Sequence, residues 1–576
     1  MTDFSGFLTA VGMLEPAAGS APETHLGCAV LVRGYVADRI ALRDRFGLPA
    51  TRRPSDGELI AHAFRTWGRD LPKHVSGEYA AVVHDPRERT TLLTHDALGL
   101  APFFYGERAG GIAFATDIVD LVGEAETAAI DDRYVADFLA IGFITGERTP
   151  YVSVKRLLPG QALWWSESRL HELRTWDLAE IPPVRCRDDA EYEERFRELL
   201  WAGVQSALAP DGATWISLSG GLDSSSIACS AAVGGASGIE AYSILCSTWP
   251  EANEELWMRA VVDRYRIPWH TVELESMLPF SRLPGGFHGE PTHSVICEEQ
   301  MRVENELLGS HGAGVMLTGH AGDAVLCASQ DPIPSHLADP LFDGRPIAAL
   351  RAMNAWRSAA GEGRSAAHWL LHGGAGPALK HLRGRRVFRR VRTAQPPWFT
   401  AHYVRTMRLD EAASRPAAPR CRQPGRQAFA DSLWMMSIAT ALIPRRRKVY
   451  EQRHPLLYRP LVEFMAGVPW EQKLRPRCDR YLQRRALEGV LPELIRRRAT
   501  KGNGNPAIVE GLRRSRDWIA YLCDDPQLAQ RGIVDRERWR TVVRQASVGQ
   551  THDDKNFLAA VAVEVWLKQL RERAVR

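Results

Sequence analysis

The sequence predicts two domains of different classes: an α+β domain rich in short strands, followed by an α/β domain with a parallel sheet and a helical C-terminal region. Short apolar segments bounded by turn residues fill the first 180 residues. From residue 213 the pattern changes to strand–helix alternation, which is typical of a parallel sheet, and from about residue 340 it is mostly helical. The Pro-containing segment AEIPPVRCRDD (179–189) indicates a linker, so we expect domains over residues 1–180 and 181–576.

Each predicted strand is a short apolar segment with turn residues on both sides. In the first domain these segments lie at 27–36, 77–85, 90–96 and 111–117. A helix is predicted at 57–68, because its apolar residues recur at helical spacing. In the second domain a helix at 190–208, acidic in its first turns, precedes predicted strands at 213–218, 239–246 and 314–320.

Composition excludes several classes of protein. Apolar residues make up 45% and charged residues 25%, close to average globular usage, and a net charge of +4 argues against a nucleic-acid-coating protein. No apolar run reaches about 18 residues and the N-terminus lacks a secretory pattern, so we expect a cytoplasmic protein without a membrane span. None of the nine cysteines forms a CxxC pair, which argues against a zinc ribbon or redox dithiol and favours reduced thiols.

The most informative segment, here called the first loop (218–225), reads LSGGLDSS. It follows a predicted strand and opens a helix. Paired glycines let backbone N–H groups approach an anion, and the helix directs its positive end to the same place. The spacing matches neither a Walker A motif nor a dinucleotide loop. The segment suits a pyrophosphate, with Ser219, Gly220, Gly221, Ser224 and Ser225 as predicted contacts.

A second segment, here called the second loop (317–323), reads LTGHAGD and also ends a predicted strand. Ligands bind at the carboxyl ends of parallel strands, so we expect the two loops to meet. A carboxylate beside phosphate needs a cation, and Mg²⁺ takes few carboxylates plus phosphate oxygens. We therefore predict that Asp223 and Asp323 hold Mg²⁺ and that Thr318 and Gly319 contact the nucleotide.

These residues carry a family resemblance. The first loop resembles the PP-loop of ATP pyrophosphatases, and its form is similar to that of the asparagine synthetase group. Weaker similarities to the same group lie at 55–58, 77–80, 96–105, 114–117, 454–459 and 480–501. The resemblance implies a glutaminase-like, Ntn-type β-sandwich domain and a PP-loop synthetase domain. It also implies that ATP is split to AMP and pyrophosphate, that a carboxylate becomes an acyl-adenylate, and that an amine attacks it.

Departures from the group's pattern fall in the glutaminase domain and in the second loop, where His320 and Ala324 stand in place of the Glu residues of asparagine synthetases. Residue 2 is Thr where these glutaminases need a nucleophilic Cys, and Arg33-Gly34-Tyr35 replaces the glutamine-holding Asn-Gly-Glu. Without a thiolate there is no acyl-enzyme route to ammonia, so we expect an inactive glutaminase and an amine that belongs to the substrate. With its TGHAGD loop and the segments 142–161 and 451–464, the chain is most similar to lasso peptide cyclases, which are macrolactam synthetases.

The resemblance also implies roles for single residues. Lys501 matches a Lys that contacts the α-phosphate; the alternative is a solvated loop lysine. His320 stands where β-lactam synthetases carry a catalytic Tyr, and an imidazole that titrates near pH 6.5 suits a base; the alternative is a histidine bonded to the loop backbone. Glu290, which precedes a proline, is predicted to orient the substrate amine. Residues predicted to bound adenine and ribose are Leu218, Ile244 and Gly319.

The expected function is therefore ATP-dependent closure of a macrolactam in a precursor peptide, alongside a leader-binding protein and a leader protease. A β-lactam synthetase or an ammonia-dependent asparagine synthetase is the alternative enzyme. A degenerate scaffold and a tRNA-modifying PP-loop enzyme are further alternatives; the near-neutral charge and the absent CxxC pairs argue against the latter. The basic stretch at 381–399 predicts either a solvated or phosphate-facing surface or a contact with an acidic peptide or partner.

Overall fold

A computed structural model describes residues 3–123, 129–144, 146–327, 333–360, 365–385, 396–409, 418–550 and 554–575. Thr2 and most of the basic stretch, residues 386–395, lie outside the described residues. The predictions made for them therefore stay predictions.

Two antiparallel sheets form the N-terminal domain. One sheet has five strands: Leu14–Pro16, Ser5–Thr9, Gly111–Ala115, Phe104–Arg108 and Lys155–Arg156, in that order. The other has six: Arg169–Arg174, Gln161–Ser166, Thr90–His95, Gly77–Asp85, Cys28–Val36 and Glu23–His25. The four predicted strands are confirmed to within two residues, and the sandwich expected for this domain is the one observed.

Strand alternation builds this sandwich. Along Gly77–Asp85, Ala80 and Val82 belong to the apolar cluster between the sheets, while Tyr79, Ala81 and Val83 belong to the cluster on the opposite face. That outer face is covered by the helix Asp56–Trp67. The helix begins at Ser55, whose hydroxyl accepts a hydrogen bond from the backbone N–H of Glu58 at 3.0 Å, as a capping box predicts.

Other helices of this domain are Arg39–Arg45, Leu71–His74 and Asp132–Ile141, with 3-10 turns at Gly68–Asp70, Ile118–Leu121 and Leu178–Glu180.

The second domain is built on a parallel sheet of five strands, in the order Trp269–Glu273, Ile239–Leu245, Thr214–Ser217, Val315–Leu317 and Glu451–Arg453. Three of these strands were predicted; the two edge strands were not. Helices Asp189–Ala207, Leu222–Val233, Glu255–Tyr265 and Glu298–Ser310 cover the sheet or lead into it. The parallel register brings the ends of Thr214–Ser217, Val315–Leu317 and Glu451–Arg453 to one edge, from which both loops emerge.

The C-terminal region is mostly helical, as predicted. Beyond the short helices Gly322–Val325 and Asp339–Phe342, its helices span Pro346–Ala360, Ala366–Trp369, Gly376–Leu382, Ala401–Thr406, Pro424–Ala441, Arg459–Gly467, Trp470–Lys473, Tyr481–Ala486, Glu493–Arg496, Asn505–Arg514, Arg516–Cys523, Gln527–Gln530, Arg536–Ala546 and Asp554–Val575. A π-helical turn, Leu370–Ala375, and 3-10 turns at Ser335–Ala338 and Pro455–Leu457 lie in this region, and further 3-10 turns at Pro250–Ala252, Leu274–Ser276 and His293–Cys297 lie among the elements of the parallel sheet.

Apolar packing joins the two domains. One cluster combines Leu98 and Leu100 of the N-terminal domain with Leu317 and Leu456 of the second, and another combines Tyr134 with Trp566. All nine cysteines are unpaired thiols. Within the described ranges, none of the helices is long and apolar enough to cross a lipid bilayer.

Gly34 allows the neighbouring strands Cys28–Val36 and Gly77–Asp85 to approach. Its φ is +99°, and an added Cβ would lie 2.9 Å from the carbonyl carbon of Glu78. We expect Gly34→Ala to lower the free energy of unfolding by about 3 kcal/mol, since strain and a backbone clash add. Gly19→Ala, at φ +89° with nothing within 4 Å, should cost only about 1 kcal/mol. Urea denaturation of both variants measures the difference, and equal losses would contradict the clash.

Candidate active site

The first loop adopts the backbone that its glycines predict. Gly220 has a φ of +69°, and an added Cβ would lie 2.9 Å from Cβ of Trp257. Gly221 then caps the helix Leu222–Val233. The hydroxyl of Ser224 accepts a hydrogen bond from the backbone N–H of Ser219 at 3.1 Å and lies 3.1 Å from the hydroxyl of Ser219. The loop is thus pre-shaped by its own side chains.

Ser225 differs from the other two serines of the first loop. It is fully buried, and its Oγ has no hydrogen-bond partner among the described residues. A buried hydroxyl without a partner costs free energy, which a phosphate oxygen in the loop would recover.

The second loop packs directly against the first, as predicted. An added Cβ at Gly319 would lie 2.8 Å from the backbone nitrogen of Ser224, and one at Gly322 would lie 2.6 Å from Oδ2 of Asp223. Only glycine fits at these two positions without displacing the first loop. The backbone N–H of Thr318 donates to the carbonyl of Arg453 at 3.1 Å, so the neighbouring strand fixes the start of the second loop.

Asp223 and Asp323 meet across a shared arginine. Nε and Nη2 of Arg480 donate to the two oxygens of Asp223 at 3.1 and 3.0 Å, and Nη2 also donates to Asp323. Burial raises the pKa of Asp223, and Arg480 opposes the rise. Asp323 is half exposed, and Nζ of Lys501 lies 3.7 Å from its Oδ2. The predicted carboxylates and the predicted lysine are therefore brought together.

The side chain of Lys501 is 73% exposed. The position of its backbone is fixed by contacts of the neighbouring residues. Arg498 donates to the carbonyl of Gly220 at 3.0 Å and forms an ion pair with Glu254. The backbone N–H of Gly502 donates to the same Glu254 at 3.0 Å. These contacts fix the chain on both sides of Lys501 beside the first loop, and its ammonium stays exposed next to Asp323.

Leu218 is the first residue of the first loop, and Ile244 lies on the neighbouring strand Ile239–Leu245. The backbone N–H of Leu218 donates to the carbonyl of Tyr242 at 2.8 Å, and its carbonyl accepts from the hydroxyl of Ser243 at 2.7 Å. The side chain of Leu218 is fully buried in the core, so only its backbone can face a ligand. Ile244 is half-buried beside the apolar cluster around Trp215.

The pKa of His320 departs from the ordinary imidazole value near 6.5. Burial, reinforced by the nearby His454, lowers the pKa of His320 to about 4, although Glu78 and Asp323 oppose the shift. Its Nε2 is buried without a partner among the described residues, and its ring meets the ring of His454 edge to face at 5.5 Å. The imidazole is therefore neutral at physiological pH and is a weak base in the free protein.

The predicted role of Glu290 is also not supported. Its carboxylate is buried and accepts two hydrogen bonds from Nη2 of Arg156, at 2.5 and 2.6 Å, and a third from Tyr134 at 3.3 Å. Both partners belong to the N-terminal domain. Glu290 thus serves as a structural ion pair between the domains, and a substrate amine would have to displace a buried arginine to reach it.

The site fits a magnesium ion that completes its shell with phosphate and water. Two carboxylates converge on one point, and within the described part of the chain no group of three or more His, Cys, Asp or Glu side chains could hold a metal alone. Mg²⁺ is commonly bound through one or two carboxylates plus substrate phosphates. Asp223 and Asp323 would hold it.

Sequence reasoning missed Arg480, Arg498, Glu254 and Gln483. Gln483 donates to Ser226 at 2.9 Å behind the first loop. Arg480 lies 257 residues from Asp223 in the chain, and 65 of the 73 basic residues are arginine, so no local signal separates it from the others. Its φ of +48°, rare for a residue other than glycine, became visible only in the structure.

Comparison with known proteins was made for the whole chain. A family described as asparagine synthase matches residues 195–568, and one described as a glutamine amidotransferase domain matches residues 24–176. Asparagine synthetase (glutamine-hydrolyzing) 3 of Bacillus subtilis (strain 168) is 23% identical over 526 residues, which cover 84% of this chain and 76% of that protein. Asparagine synthetase (glutamine-hydrolyzing) 3 of Arabidopsis thaliana is 28% identical over 119 residues, or 20% of this chain and 21% of that protein.

Among solved structures, glutamine phosphoribosylpyrophosphate amidotransferase from B. subtilis, complexed with ADP and GMP, matches at 14% identity and a TM-score of 0.20. The match covers 54% of this chain and 75% of that chain.

An amidotransferase-type sandwich joined to a parallel-sheet domain with two convergent loops is the architecture of ATP-dependent, amide-forming ligases. The chain belongs to the asparagine synthase family, whose model matches well over half of its residues. Members of this family use ATP, typically with Mg²⁺. The resemblance to the asparagine synthetase group and the predicted fold class are thereby confirmed.

The low pKa of His320 gives a pH-dependent stability. The unfolded chain takes up this proton at about pH 6.5 and the folded chain only near pH 4, so stability present above pH 6.5 is lost as the pH falls towards 4. Glutamine does not titrate, so His320→Gln lacks this loss. When the pH is lowered from 7.5 to 5, the free energy of unfolding of the variant minus that of the parent should increase by about 2 kcal/mol. Chemical denaturation at both pH values measures it, and parallel pH profiles would contradict the buried neutral imidazole.

Proposed function

We propose that this protein closes the macrolactam ring of a lasso peptide. An Asp or Glu side-chain carboxylate of the precursor is adenylated by ATP with release of pyrophosphate, and the peptide's N-terminal amine then forms the isopeptide bond. This proposal rests on the ATP-dependent amide-forming chemistry of the family. The peptide substrate is the part that we add.

The observation that carries the proposal is the state of the glutamine-holding positions. Arg33 lies 2.6 Å from Asp3 in a buried ion pair. The ring of Tyr35 packs under the guanidinium of Arg453 at 4.2 Å, and its hydroxyl lies 3.4 Å from Glu78. Both side chains contact charged groups of the protein, Arg33 through an ion pair with Asp3 and Tyr35 through Arg453 and Glu78. With Thr2 in place of the nucleophile, this supports a substrate that brings its own amine.

In the first step the peptide carboxylate oxygen attacks the α-phosphorus of ATP, and the bond to the pyrophosphate oxygen breaks. The first loop would receive the leaving pyrophosphate on its backbone N–H groups and on the hydroxyls of Ser219, Ser224 and Ser225. Lys501, whose side chain is exposed, would neutralise charge on the α-phosphate. Mg²⁺, when bound by Asp223 and Asp323, supplies Lewis-acid stabilisation of the phosphate charge.

In the second step the amine nitrogen attacks the activated carbonyl, AMP leaves, and one proton must leave the nitrogen. His320 lies on the second loop beside Asp323, and its imidazole is neutral at physiological pH. A neutral imidazole accepts a hydrogen bond from an amine and so can orient it for attack. The low pKa of His320 makes full proton transfer to it unfavourable, so it serves as a hydrogen-bond acceptor in this proposal.

A cleft of about 830 Å³ lies between the linker and the helical region. Its walls include Trp356, Trp470, Arg345 and Arg475. Its volume lies within the range of about 300 to 1,000 Å³ that is typical of small-ligand sites, so it has room for a short peptide segment or for a small substrate.

Partners and compartment follow from the same proposal. We propose that a leader-binding protein and a leader protease act alongside this enzyme, as the resemblance implies. Nine unpaired cysteines favour a reducing compartment, which supports action in the cytoplasm.

A second candidate function is an ammonia-dependent asparagine synthetase or another small-molecule ligase such as a β-lactam synthetase. The observation that favours it is the 23% identity to an asparagine synthetase over 84% of this chain.

The first test is a mass measurement. Incubation with ATP, Mg²⁺ and the precursor peptide should yield a product lighter by one water, with one pyrophosphate released per ring. Conversion of free aspartate and ammonium to asparagine, without change to the peptide, would support the second candidate instead.

Asp223→Asn should lower pyrophosphate release by about 100-fold or more, because the paired carboxylate at the phosphates is lost. The matched control is Asp479→Asn, which removes another carboxylate that accepts from Arg480, at 2.8 Å, but does not face Asp323. Pyrophosphate release by Asp479→Asn should fall far less than release by Asp223→Asn. Equal release by the Asp223 variant and the parent would discard the assigned site.

A further test concerns the amine source. Added glutamine should leave the rate of amide formation unchanged, because the residues at positions 2, 33 and 35 are not those of a glutaminase. The rate is followed by pyrophosphate release at saturating peptide, with ammonium chloride as the positive control for an external amine. A rate that rises with glutamine contradicts the inactive-glutaminase proposal.

A further inference from the structure

Glu78 of the N-terminal domain holds one residue of the second domain with both of its oxygens. One oxygen accepts the backbone N–H of His454 at 2.5 Å, and the other accepts from ring Nδ1 of the same His454 at 2.9 Å. The hydroxyl of Tyr35 adds a longer contact at 3.4 Å. Glu78 and His454 are 4% and 2% exposed, so these are buried, charge-assisted hydrogen bonds.

This contact determines the state of the His454 ring. Burial alone would raise the pKa of Glu78, but His454 holds it below its ordinary value, so the group is a carboxylate. A carboxylate only accepts hydrogen bonds, so Nδ1 of His454 carries a proton. In the neutral ring Nε2 is then left with its lone pair. The arrangement is a carboxylate–imidazole pair that crosses the domain interface.

His454 lies at the edge of the parallel sheet where the second loop begins. It directly follows the strand Glu451–Arg453, which pairs in parallel with Val315–Leu317. Its ring meets the ring of His320 edge to face at 5.5 Å, and His320 is sensitive to the charges of both Glu78 and Asp323. A continuous series of contacts thus runs from Glu78 through His454 to His320 and the second loop.

We propose that Glu78 is a positioning residue for the amide-forming step. Through His454 it fixes the orientation and hydrogen-bonding character of His320 on the second loop. The N-terminal domain would then supply the carboxylate that holds two imidazoles of the second domain, His454 and His320, in a fixed arrangement at the synthetase site. The inference rests on the proposed amide-forming function, and it deepens that function by giving the N-terminal domain a part in the reaction.

Glu78→Gln is the informative substitution, because it keeps the shape of the side chain and reverses one hydrogen bond. The amide oxygen still accepts the backbone N–H of His454, but the amide nitrogen donates, so Nδ1 must give up its proton and Nε2 must take it. A wrong tautomer of this kind is strongly inhibitory where a carboxylate orients a histidine.

A matched control lies on the same interface. The hydroxyl of Tyr458, four residues beyond His454, donates to Oδ1 of Asp38 at 2.7 Å. Asp38→Asn is also a carboxylate-to-amide change in the N-terminal domain that faces the same segment, and asparagine tolerates the left-handed backbone of residue 38, at φ +53°. It does not contact His454 or His320 through any hydrogen bond among the described residues.

The experiment compares amide formation with trapping of the acyl-adenylate by hydroxylamine, in full-length parent, Glu78→Gln and Asp38→Asn. Hydroxylamine is a strong nucleophile that is largely unprotonated at neutral pH, so its attack does not need a positioned base. We expect Glu78→Gln to lower kcat for the amide about tenfold or more, with KM for ATP within about twofold and hydroxamate formation retained. Asp38→Asn should keep the parent's kcat. Equal loss of amide and hydroxamate, or equal loss in both variants, would overturn the positioning role.

Failure of the proposed substrate is distinguishable from failure of this inference. The parent is assayed first with the precursor peptide and then with aspartate plus ammonium, and the variants are compared on whichever pair the parent turns over. Hydrogen–deuterium exchange of the second loop supplies a readout that needs no turnover. Glu78→Gln should speed exchange in peptides covering 314–327 and 448–458, relative to Asp38→Asn; unchanged exchange in both would contradict the inference whatever the substrate.

Discussion

The synthetase site depends on the convergence of two carboxylates on Arg480. Asp223 is buried beside Asp323, and both carboxylates pair with the same nitrogen of Arg480. Two like charges so close to each other raise the free energy of a partly desolvated site. Arg480 donates hydrogen bonds to both carboxylates from its planar guanidinium, which carries five N–H donors. Removing one member of a buried ion pair typically costs about 3 to 5 kcal/mol, which exceeds the roughly 1 to 2 kcal/mol of the left-handed backbone that Arg480 adopts. The protein therefore tolerates the left-handed backbone of Arg480, because the ion pairs of its guanidinium stabilise the fold by more than this conformation costs.

The sequence predicted those parts of the site whose signals are local. A Gly-Gly turn between a strand and a helix identifies the first loop, and parallel topology then brings the second loop to it. Arg480, by contrast, has no signal of its own in a chain with 65 arginines, and its partners lie far away in sequence. The strand Glu451–Arg453 is only three residues long, too short for an alternating pattern, and its register comes from the neighbouring strand.

Two predicted site residues lie in surroundings that only the tertiary structure determines. An imidazole in a loop should titrate near pH 6.5 if water reaches it, but His320 is packed against His454 and loses that hydration. A carboxylate before a proline looks available for a substrate, but Arg156 from the other domain already neutralises Glu290. Burial and long-range ion pairs, which are invisible in a single sequence, decide both cases.

Retention of an N-terminal domain without the glutaminase residues has a physical basis in its interface. Apolar contacts around Leu98 and Leu100 hold the two domains together, but such contacts are non-directional and permit several relative positions. The bonds from Glu78 to the backbone and ring of His454 are directional, and both are satisfied in one arrangement only. Loss of the domain would expose the apolar faces and leave a buried histidine N–H and ring without acceptors at the edge that carries the second loop. The hydrogen bonds from Glu78 to His454 therefore help to fix the relative orientation of the two domains, while the apolar contacts supply most of the attraction.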